Sequence, residues 1–600
     1  MPAGRRAETW PSRGRTELET AVNRRVTLLL LAVATLALGI GARLAYLQVA
    51  CCDKLRGRAS VQHWKEFEVP ATRGTILDRQ GRELALSLKT ESLFAHPRRV
   101  KNPEDAARLL APIIGLSRHE ILERLTSEKP FAYLHRFLEP EQAAAVRDLK
   151  LPIGETEPFG LLPSSKRYYP RDELAVHILG FANIDGKGIE GIERQFDYEL
   201  SGDPTVYLAM QDGLNGRVRE RTIDSPDKRP WEVILSIDVV LQHLVERELD
   251  RAMAATRAHA ASAVLIDPVT GQVLALANRP AADPNRYGQA TDAQRVNRAV
   301  VHQYEPGSTF KIVGMAAALE HGAVRPGQHF DCENGRYSYR GRSIRDIARN
   351  GILSAREVFE KSSNVGMVKI VRRLKPDDLH DTVMRFGFGR RTGIELPGEL
   401  PGTLHPVSKW SGQTQPSLAF GYEVSVTVLQ MASALSVIAN DGVRLPTAVV
   451  LALRDADGRV HHFPTPRGHR AISSDTANAL KSLMEGVVIR GTGTRAGLSG
   501  YRVAGKSGTA RKLTGGRYSE TDYIASFGGF APVNSPRLVG LVVIDTPRGE
   551  HFGGQVAAPV FRRIMEDALG YVRAPRDEGA LTLAEARSSA VRGDDGSATR

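Results

Sequence analysis

The sequence predicts an α+β protein in which an antiparallel sheet is covered by helices, and three observations lead to that class. Two apolar strand pairs stand far apart in the chain, at 261–277 and 524–544, and a short turn joins the strands of each pair. Helical periodicity is found just before the first pair, in residues 239–256, and between the pairs, as in the apolar run that begins at Ile312. A sheet whose strands come from both ends of a helix-rich region, with helices packed on it, is the expected result.

Composition places the chain among globular proteins and narrows the classes of partner. Of 600 residues, 42% are hydrophobic and 25% charged, which excludes a wholly disordered or collagen-like chain. The net charge of +13 fits an anionic membrane surface or an acidic polymer, and the scattered basic residues do not favour nucleic acid. Cys51, Cys52 and Cys332 form no zinc-binding pattern, so we expect no structural zinc site and a fold that depends on core packing.

The amino-terminal region predicts one membrane anchor. Residues 26–42 carry no charge and rise about 25 Å as a helix, and residues 44–49 extend them towards a bilayer core of about 30 Å. The first 25 residues hold six arginines against three glutamates, which predicts a cytoplasmic tail at 1–25 and an exported remainder. An uncleaved anchor at 26–49 is preferred to a signal peptide, because the preceding region is long and no clear A-x-A site follows.

The exported part divides into two domains and a tail. Residues 53–225 are polar, are interrupted by glycine and proline, and contain no nucleophile, metal or phosphate pattern, so we predict a structural or docking domain. Residues 224–230 contain two prolines and indicate a linker. A strand at 231–237 then begins the second domain, which we place at 231–570. Residues 571–600 are rich in Arg, Asp, Gly and Ser and predict a disordered tail.

The first chemical motif, STFK at 308–311, follows Pro306 and Gly307 and begins an apolar helical run. Ser308 therefore lies at a helix amino terminus, with Lys311 one turn further on the same face. A serine hydroxyl needs a nearby base to become a nucleophile, and lysine is such a base when burial and neighbouring positive charge lower its pKa. The alternative interpretation is a capped helix with a surface lysine.

The second motif, SSN at 362–364, lies between two helical runs, the first of which begins with a capping-box pattern at Ser354 and Glu357. A polar triplet at such a turn can direct Ser362 and Asn364 into a cleft. There Ser362 could relay a proton and Asn364 could bind a substrate amide. The alternative is an ordinary turn between helices.

The third motif, KSGT at 506–509, continues an apolar strand that we place near a sheet edge. Gly508 removes a side chain where another backbone must approach, and an edge strand can pair with an extended peptide. We expect Lys506 to attract a carboxylate and to lower the pKa of Lys311. The alternative is an exposed strand with a glycine bulge.

Together the three motifs resemble the SxxK, SxN and KTG set of penicillin-binding proteins and serine β-lactamases, with Ser507 in place of threonine. Their first positions are 54 and 144 residues apart. The chain is similar to the class B penicillin-binding proteins over nearly all of residues 25 to 570. That family comprises single-pass membrane transpeptidases of the bacterial plasma membrane. Its members carry a non-catalytic pedestal, of the dimerisation type, before a penicillin-binding, serine β-lactamase-like domain with a sheet and a helical lobe.

The resemblance implies a role for each motif residue. Ser308 attacks the penultimate D-Ala carbonyl of a peptidoglycan stem peptide, Lys311 accepts its proton, and Ser362 passes protons on. Asn364 and Gly508 belong to the substrate-binding groups, and the terminal carboxylate is held by three side chains: Lys506, Ser507 and Thr509. The backbone N–H groups of Ser308 and Thr509 form the oxyanion hole. A β-lactam acylates the same serine, and no metal or cofactor takes part.

Three segments look like the division-specific branch of the family, the FtsI or penicillin-binding protein 3 type: EPGST at 305–309, SNVG at 363–366 and GYEVSVT at 421–427. The elongation-specific branch usually has aspartate where Asn364 stands, and the division family more often has glycine where Glu423 stands. Sporulation-specific relatives remain an alternative. The expected partners are stem peptides, β-lactams, a membrane-embedded SEDS-type glycosyltransferase and other divisome proteins.

Two other functions stay open at this stage. A serine β-lactamase shares the motifs, but its class A form needs an E-x-x-L-N string that does not follow Ser362 here. A catalytically inactive division scaffold would keep the anchor and the pedestal, and the complete set of motifs argues against it. Labelling with a fluorescent penicillin distinguishes all three.

Overall fold

The computed structural model describes residues 13–50, 64–69, 71–154, 157–203, 205–210, 219–222, 228–463 and 467–577. Several sequence expectations lie outside these residues: most of the amino-terminal tail, both amino-terminal cysteines, part of the linker, and the tail beyond residue 577. The described residues form an amino-terminal helix, a mixed pedestal and a large α+β domain, in that order.

The amino-terminal helix runs from Arg13 to Ala45 and continues as a π-helical turn, Tyr46–Ala50. Within it, Val22–Ala50 has a mean hydropathy of 2.1 over its most apolar window, and this helix is long and apolar enough to cross a membrane. The segment expected at 26–49 lies inside it. The helix is therefore consistent with a single-pass membrane protein.

The pedestal is built around the long strand Glu83–Ala95, which pairs with Ala132–Leu138 on one side and Phe159–Tyr168 on the other. Its other strands are Trp64–Val69, Ile76–Leu77, Thr205–Met210 and Arg219–Thr222. Its helices are Pro103–Ile114, Arg118–Leu125, Pro140–Arg147, Val176–Leu179, Gly191–Gln195 and Asp197–Leu200, with a 3-10 turn at Pro97–Arg99. The first three helices pack on the sheet around Leu110, Ile121 and Val146.

A buried ionic cluster holds the base of the pedestal together. The Glu193 carboxylate is fully buried and accepts hydrogen bonds from Arg73 Nε at 2.5 Å and Arg167 Nε at 2.6 Å. The Tyr169 hydroxyl donates to the same carboxylate at 3.2 Å. Buried charges are stable only when they are paired in this way, so these residues tie together segments nearly 100 residues apart. This matches the structural role expected for the pedestal.

The pedestal and the second domain share one sheet. The short pedestal strand Ile76–Leu77 pairs in parallel with Glu232–Leu235, the first strand after the linker region. That strand in turn pairs with Val450–Arg454, which is followed at the sheet edge by Val460–His462. Main-chain hydrogen bonds therefore link the two domains directly.

The second domain contains a five-stranded antiparallel sheet in the order Val273–Arg279, Ala260–Ile266, Leu538–Asp545, Arg517–Ala531, Ala504–Thr514. The two predicted strand pairs supply four of the five strands of this sheet, and their antiparallel pairing confirms the predicted class. Ala504–Thr514, called the edge strand below, has a partner on one side only. The third motif therefore lies at a sheet edge, as predicted.

Helices cover both faces of this sheet because its central strands are apolar on both sides. Val239–Thr256 and Ala558–Tyr571 pack on one face, and Val428–Ala439 packs on the other. The remaining helices are Asp292–Arg295, Arg298–Val301, Lys311–Glu320, Ala355–Glu360, Asn364–Val371, Pro376–Arg385, Thr414–Leu418, Ser474–Ile489 and Gly553–Val556. Several of these form a helical lobe beside the sheet, around the buried Val313, Met367 and Phe386.

Short elements complete the domain. The 3-10 turns are Pro284–Gln289, Gly307–Phe310, Glu333–Gly335, Val407–Lys409 and Thr494–Ala496, and the small strands are His329–Asp331, Ile352–Ser354, Val443–Arg444 and His469–Arg470. The strands Arg336–Tyr339 and Arg342–Arg345 pair with each other and are called the cleft hairpin below. Ordered contacts extend past the boundary expected at residue 570: Arg502 N–H donates to Asp577 Oδ2 at 2.7 Å, and Asp577 N–H donates to Gly500 O.

Candidate active site

Ser308 lies in the 3-10 turn Gly307–Phe310, which leads directly into the helix Lys311–Glu320. The turn is fixed from behind, because Gly307 N–H donates to Gly421 O at 3.2 Å. Ser308 is half-buried and lines a cleft of about 760 Å³. Its hydroxyl is therefore accessible, and the first N–H groups of the helix have no intrahelical acceptor.

Lys311 is the first residue of that helix and is fully buried. Its Nζ lies 2.5 Å from Ser362 O, 2.7 Å from Asn364 Oδ1 and 3.1 Å from Ser362 Oγ. Burial lowers the pKa of Lys311 to about 7, although the nearby Asp346 carboxylate acts in the opposite direction. A neutral amine uses its two N–H groups on the two carbonyl-type oxygens and keeps a lone pair to accept a proton.

Lys506 approaches the same hydroxyl from the edge strand. Its Nζ is buried and lies 2.9 Å from Ser362 Oγ and 3.1 Å from Ser507 O. Burial lowers the pKa of Lys506 well below its usual value, and repulsion from Lys311 lowers it further. Burial is the main cause of the lowered pKa of Lys311. Repulsion between two neighbouring amines is mutual, so the effect of Lys506 on the pKa of Lys311 stays a prediction.

Ser362 joins the two lysines because of an unusual backbone conformation. Its φ is +58°, in the left-handed region that non-glycine residues rarely adopt. The turn 361–364 ends one helix and starts the next, whose amino terminus is capped by Ser363 Oγ accepting from Gly366 N at 2.9 Å. The turn thus directs Ser362 towards the two amines, and residues held in strained backbone conformations are concentrated at functional sites.

Asp346 organises this turn, and no sequence motif identified it. Its carboxylate accepts from the Ser363 hydroxyl at 2.6 Å and from the backbone N–H groups of Asn364 and Val365 at 2.6 and 3.0 Å. Asn364 Nδ2 also donates to Arg345 O at 2.8 Å. The sequence alone could not identify Asp346, because this residue precedes the SSN motif by 16 residues and contacts it only through the fold of the cleft hairpin.

The edge strand fits closely against the nucleophile turn at Gly508. A Cβ atom at Gly508 would lie 2.5 Å from Ser526 Oγ and 3.0 Å from Pro306 O, so no larger residue fits. This contact agrees with the close backbone approach predicted at Gly508, and it rules out a merely exposed bulge. On either side, Ser507 Oγ and Thr492 Oγ are 2.6 Å apart, and Gly553 N–H donates to Thr509 Oγ at 3.0 Å.

The structure therefore brings all three sequence motifs to one cleft. Five of the predicted residues line it: Ser308, Ser362, Asn364, Ser507 and Thr509. The two lysine amines lie behind them, in contact with Ser362. Within the described part of the chain, neither lysine amine makes a hydrogen bond to Ser308, so proton transfer from this serine needs a small local movement, as is common in free enzymes.

Glu423, where the resemblance led us to expect glycine, has a φ of +60°. The backbone N–H of Glu423 donates to Glu305 Oε1 at 2.9 Å, and its carboxylate accepts from Ser417 Oγ at 2.6 Å. Ser417 in turn accepts from Arg342 of the cleft hairpin at 3.0 Å. Burial and the Glu423 charge raise the pKa of Glu305. The side chain of Glu423 thus links the segment before Ser308 to the cleft hairpin.

Among the described residues, no group of three His, Cys, Asp or Glu side chains is arranged to hold a metal ion. Cys332 is buried, with its thiol 3.7 Å from Phe330 O. The side chains that the three motifs bring to the site are hydroxyls, amines and an amide. Such a set suits nucleophilic acyl transfer assisted by proton relay.

Comparison with known proteins finds relatives over almost the whole chain. The family described as the penicillin binding protein transpeptidase domain matches residues 261–566, and the penicillin-binding protein dimerisation domain matches residues 68–229. The probable peptidoglycan D,D-transpeptidase PenA of Neisseria meningitidis is 36% identical over 91% of this chain and 92% of its own length. The peptidoglycan D,D-transpeptidase FtsI of Escherichia coli is 35% identical over 93% of each chain.

Two further proteins are similar to most of this chain. The stage V sporulation protein D of Bacillus subtilis is 34% identical over 91% of this chain and 86% of its own length. Penicillin binding protein 3 of Mycobacterium tuberculosis, solved in complex with ampicillin, superposes with a TM-score of 0.67 at 29% identity, covering 86% of this chain and 99% of that chain.

Proposed function

The chain belongs to the class B penicillin-binding proteins and is a peptidoglycan D,D-transpeptidase, and we propose that it cross-links septal peptidoglycan through an acyl-enzyme at Ser308. The observation that carries the assignment of the site is the position of the Ser362 hydroxyl, 3.1 Å from Lys311 Nζ and 2.9 Å from Lys506 Nζ. Two buried amines that share one hydroxyl beside a half-buried serine form a proton relay for acyl transfer.

Acylation begins when Ser308 Oγ attacks the penultimate D-Ala carbonyl of a stem peptide. Neutral Lys311 accepts the serine proton, and a C–O bond forms as the carbonyl becomes a tetrahedral oxyanion. The C–N bond to the terminal D-Ala then breaks, and the leaving amine takes a proton from the Ser362 hydroxyl. Lys311 returns the proton that it accepted to that hydroxyl, so Lys311 is neutral again once the acyl-enzyme has formed; the Lys506 amine contacts the same hydroxyl. General acid–base help of this kind contributes roughly 10²–10⁴-fold.

Substrate binding uses the edge strand. The Ser507 and Thr509 hydroxyls and the Lys506 amine hold the terminal carboxylate, and Asn364 donates to or accepts from a backbone amide of the stem peptide. The backbone N–H groups of Ser308 and Thr509 stabilise the oxyanion, each contributing about 3–4 kcal/mol. Gly508 allows the strand to approach the nucleophile turn closely enough for both N–H groups to reach one oxygen.

Transfer completes the cycle. An amine from a neighbouring stem peptide attacks the acyl carbonyl and gives its proton to the neutral Lys311 through Ser362. The C–O bond to Ser308 breaks as the new amide forms, and Ser308 Oγ takes the proton back from Lys311. A β-lactam acylates Ser308 in the same way, but its leaving group stays tethered, so the adduct persists. Slow deacylation is expected because no carboxylate lines the cleft except Asp346, whose oxygens are occupied by donors from 363–365.

The septal role rests on features of the division branch. The chain has Asn364 where the elongation branch usually has aspartate, and residues 421–427 resemble the division type. The relative named FtsI and the relative named for sporulation stage V are nearly equally similar, so overall identity does not separate these two roles. Depletion of the protein in the source bacterium tests the septal role. Filamentous cells would support a role in division, round cells would indicate elongation, and normal growth with defective spores would indicate sporulation.

We also propose the topology and the partners. The helix Arg13–Ala45 anchors the protein with its amino terminus in the cytoplasm, because arginines outnumber acidic residues before the apolar segment. The catalytic domain then acts outside the plasma membrane. The anchor and the pedestal contact a SEDS-type glycosyltransferase and other divisome proteins, which supply the glycan strands to be cross-linked.

Labelling with a fluorescent penicillin tests the catalytic assignment. The wild-type protein should form a stable adduct that migrates with the chain on a denaturing gel, and Ser308→Ala should form none. Ser482→Ala is a matched control, because Ser482 is exposed, does not line the cleft and bonds only Arg356 among the described residues. Rapid loss of the adduct with release of hydrolysed drug would indicate a β-lactamase. Failure of the folded wild-type protein to form any adduct would indicate an inactive scaffold.

A further inference from the structure

The outer part of the active cleft is strongly cationic. Four basic side chains line it: Arg342, Arg345, Lys361 and Arg511. The only acidic residue in the lining is Asp346, whose oxygens are occupied by hydrogen-bond donors. A cleft lined by charges of one sign attracts ligands of the other sign and raises their local concentration.

Two of these arginines have no carboxylate partner in the described part of the chain. Arg345 Nε lies 3.5 Å from Ser343 Oγ, and the exposed Arg511 side chain makes no ion pair with any described residue. Arg342 bonds Ser417, which bonds the Glu423 carboxylate, so its charge is partly balanced. Lys361 lies 3.9 Å from Glu357. Arg345 and Arg511 are therefore the free charges of the cleft, and they come from two different walls, the cleft hairpin and the edge strand.

The position of Arg511 in the edge strand relates it to the substrate. Side chains alternate along a strand, so Ser507, Thr509 and Arg511 lie on one face. Towards lower numbers the strand is covered, since Ala504 and Gly505 are buried, whereas Arg511 is exposed. A peptide that pairs with the free edge, with its terminal carboxylate at Ser507 and Thr509, can therefore extend only towards Arg511.

The residue third from the peptide's carboxyl end then lies about 7 Å along the strand from the terminal residue, within reach of the Arg511 side chain. We propose that this cationic cleft selects stem peptides that carry free carboxylates before the D-Ala pair, bound by Arg511 and Arg345. Two carboxylates could serve: the side-chain carboxylate of a diamino diacid at the third position, and the α-carboxylate of a γ-linked D-glutamate at the second. Guanidinium binds carboxylate with paired, charge-assisted hydrogen bonds. Amidation removes the negative charge and replaces one of the two acceptor oxygens by an NH₂ group, so the paired bonds cannot form.

This inference rests on the proposed function, and the experiment distinguishes failure of the charge selection from failure of the transpeptidase assignment. The probes are synthetic pentapeptides that end in D-Ala–D-thiolactate, whose released thiol reports acylation of Ser308. Four peptides combine a free or amidated D-glutamate with a free or amidated diaminopimelate at the third position. We expect kcat/KM to fall about tenfold when the selected carboxylate is amidated, the scale of one lost charge-assisted bond. The single amide that causes the fall identifies which carboxylate is recognised.

Variants complete the experiment. Arg511→Gln and Arg345→Gln should lower kcat/KM for the free-acid peptide about tenfold and abolish the preference over the amidated peptide, and Arg511→Lys should retain part of it. Arg517→Gln is the matched control, because Arg517 is exposed on the neighbouring strand and does not line the cleft. The preference should also weaken between 50 mM and 500 mM NaCl, since exposed charges are screened.

Three results overturn the inference. The wild-type enzyme could acylate all four peptides equally, the arginine variants could keep the full preference, or they could lose activity equally on free and amidated peptides. Acylation by benzylpenicillin in the same samples reports on the proposed function itself. If penicillin labels Ser308 normally while peptide preference is absent, the charge selection fails and the transpeptidase assignment stands.

Discussion

The amines of Lys311 and Lys506 meet at a single oxygen, the Ser362 hydroxyl, at 3.1 and 2.9 Å. The two lysines are 195 residues apart and belong to different layers of the domain, one to the first turn of a helix and the other to the edge strand. Both are fully buried, so the fold carries the cost of two desolvated amines in one place. Such a cost is typical of sites where the shifted pKa values are themselves useful.

The lowered pKa of Lys311 predicts how acylation depends on pH. Below its pKa of about 7 the amine is protonated and cannot accept the Ser308 proton, and above it the neutral base predominates. We therefore expect the second-order rate constant for acylation by benzylpenicillin to rise from pH 5.5 to about pH 8 and then to level off. Stopped-flow or quenched labelling across this range measures it. A rate that is flat from pH 5.5 to 8, with the protein folded throughout, would contradict the role of Lys311 as the base.

Glu423 predicts a measurable backbone strain. A non-glycine residue at φ +60° costs roughly 1–2 kcal/mol, which glycine avoids. Glu423→Ala and Glu423→Gly both remove the contact with Ser417, so their difference isolates the strain. We expect the glycine variant to be more stable than the alanine variant by about 1 kcal/mol in urea unfolding. Equal midpoints for the two variants would show that this turn relaxes without cost.

The buried Glu193 cluster predicts where the pedestal is most vulnerable. Glu193→Ala leaves Arg73 and Arg167 buried without their carboxylate, and the loss of one partner of a buried ion pair costs about 3–5 kcal/mol. Arg108→Ala is the control, because its pair with Asp105, at 3.1 Å, is exposed and contributes little. Urea unfolding followed by circular dichroism should show a large loss of stability for the first variant only. Similar midpoints would mean that water replaces the lost carboxylate.

Much of the site could be predicted from the sequence because its motifs are local. Ser308 and Lys311 share one helical turn, and the edge strand carries its residues at strand spacing, so periodicity alone places them. Asp346 and the cleft hairpin could not be predicted, because they reach the SSN turn only through tertiary contacts. The burial of both lysine amines at one hydroxyl also depends on tertiary packing, which no local pattern encodes.

The contact between Gly421 and Gly307 predicts a substitution that disables the nucleophile turn. Gly421 has a φ of +80°, and a Cβ atom there would overlap the carbonyl group of Gly307. The backbone N–H of Gly307 in turn donates to Gly421 O. Gly421→Ala must therefore move the turn that carries Ser308. Gly458→Ala is a matched control, since Gly458 has a φ of +83° but no atom within 4 Å of the added Cβ.

Both alanine variants pay a similar backbone cost of about 1–2 kcal/mol, so they should lose similar stability from strain. Only Gly421→Ala also displaces Gly307, and misplacement of a reacting group by about 1 Å is enough to cost roughly 100-fold in rate. We expect penicillin labelling of Gly421→Ala to slow by at least about tenfold under conditions where Gly458→Ala reacts like the wild type. If the two variants label at the same rate, the close packing behind Ser308 does not determine its reactivity, and the position of the nucleophile must be set by the helix alone.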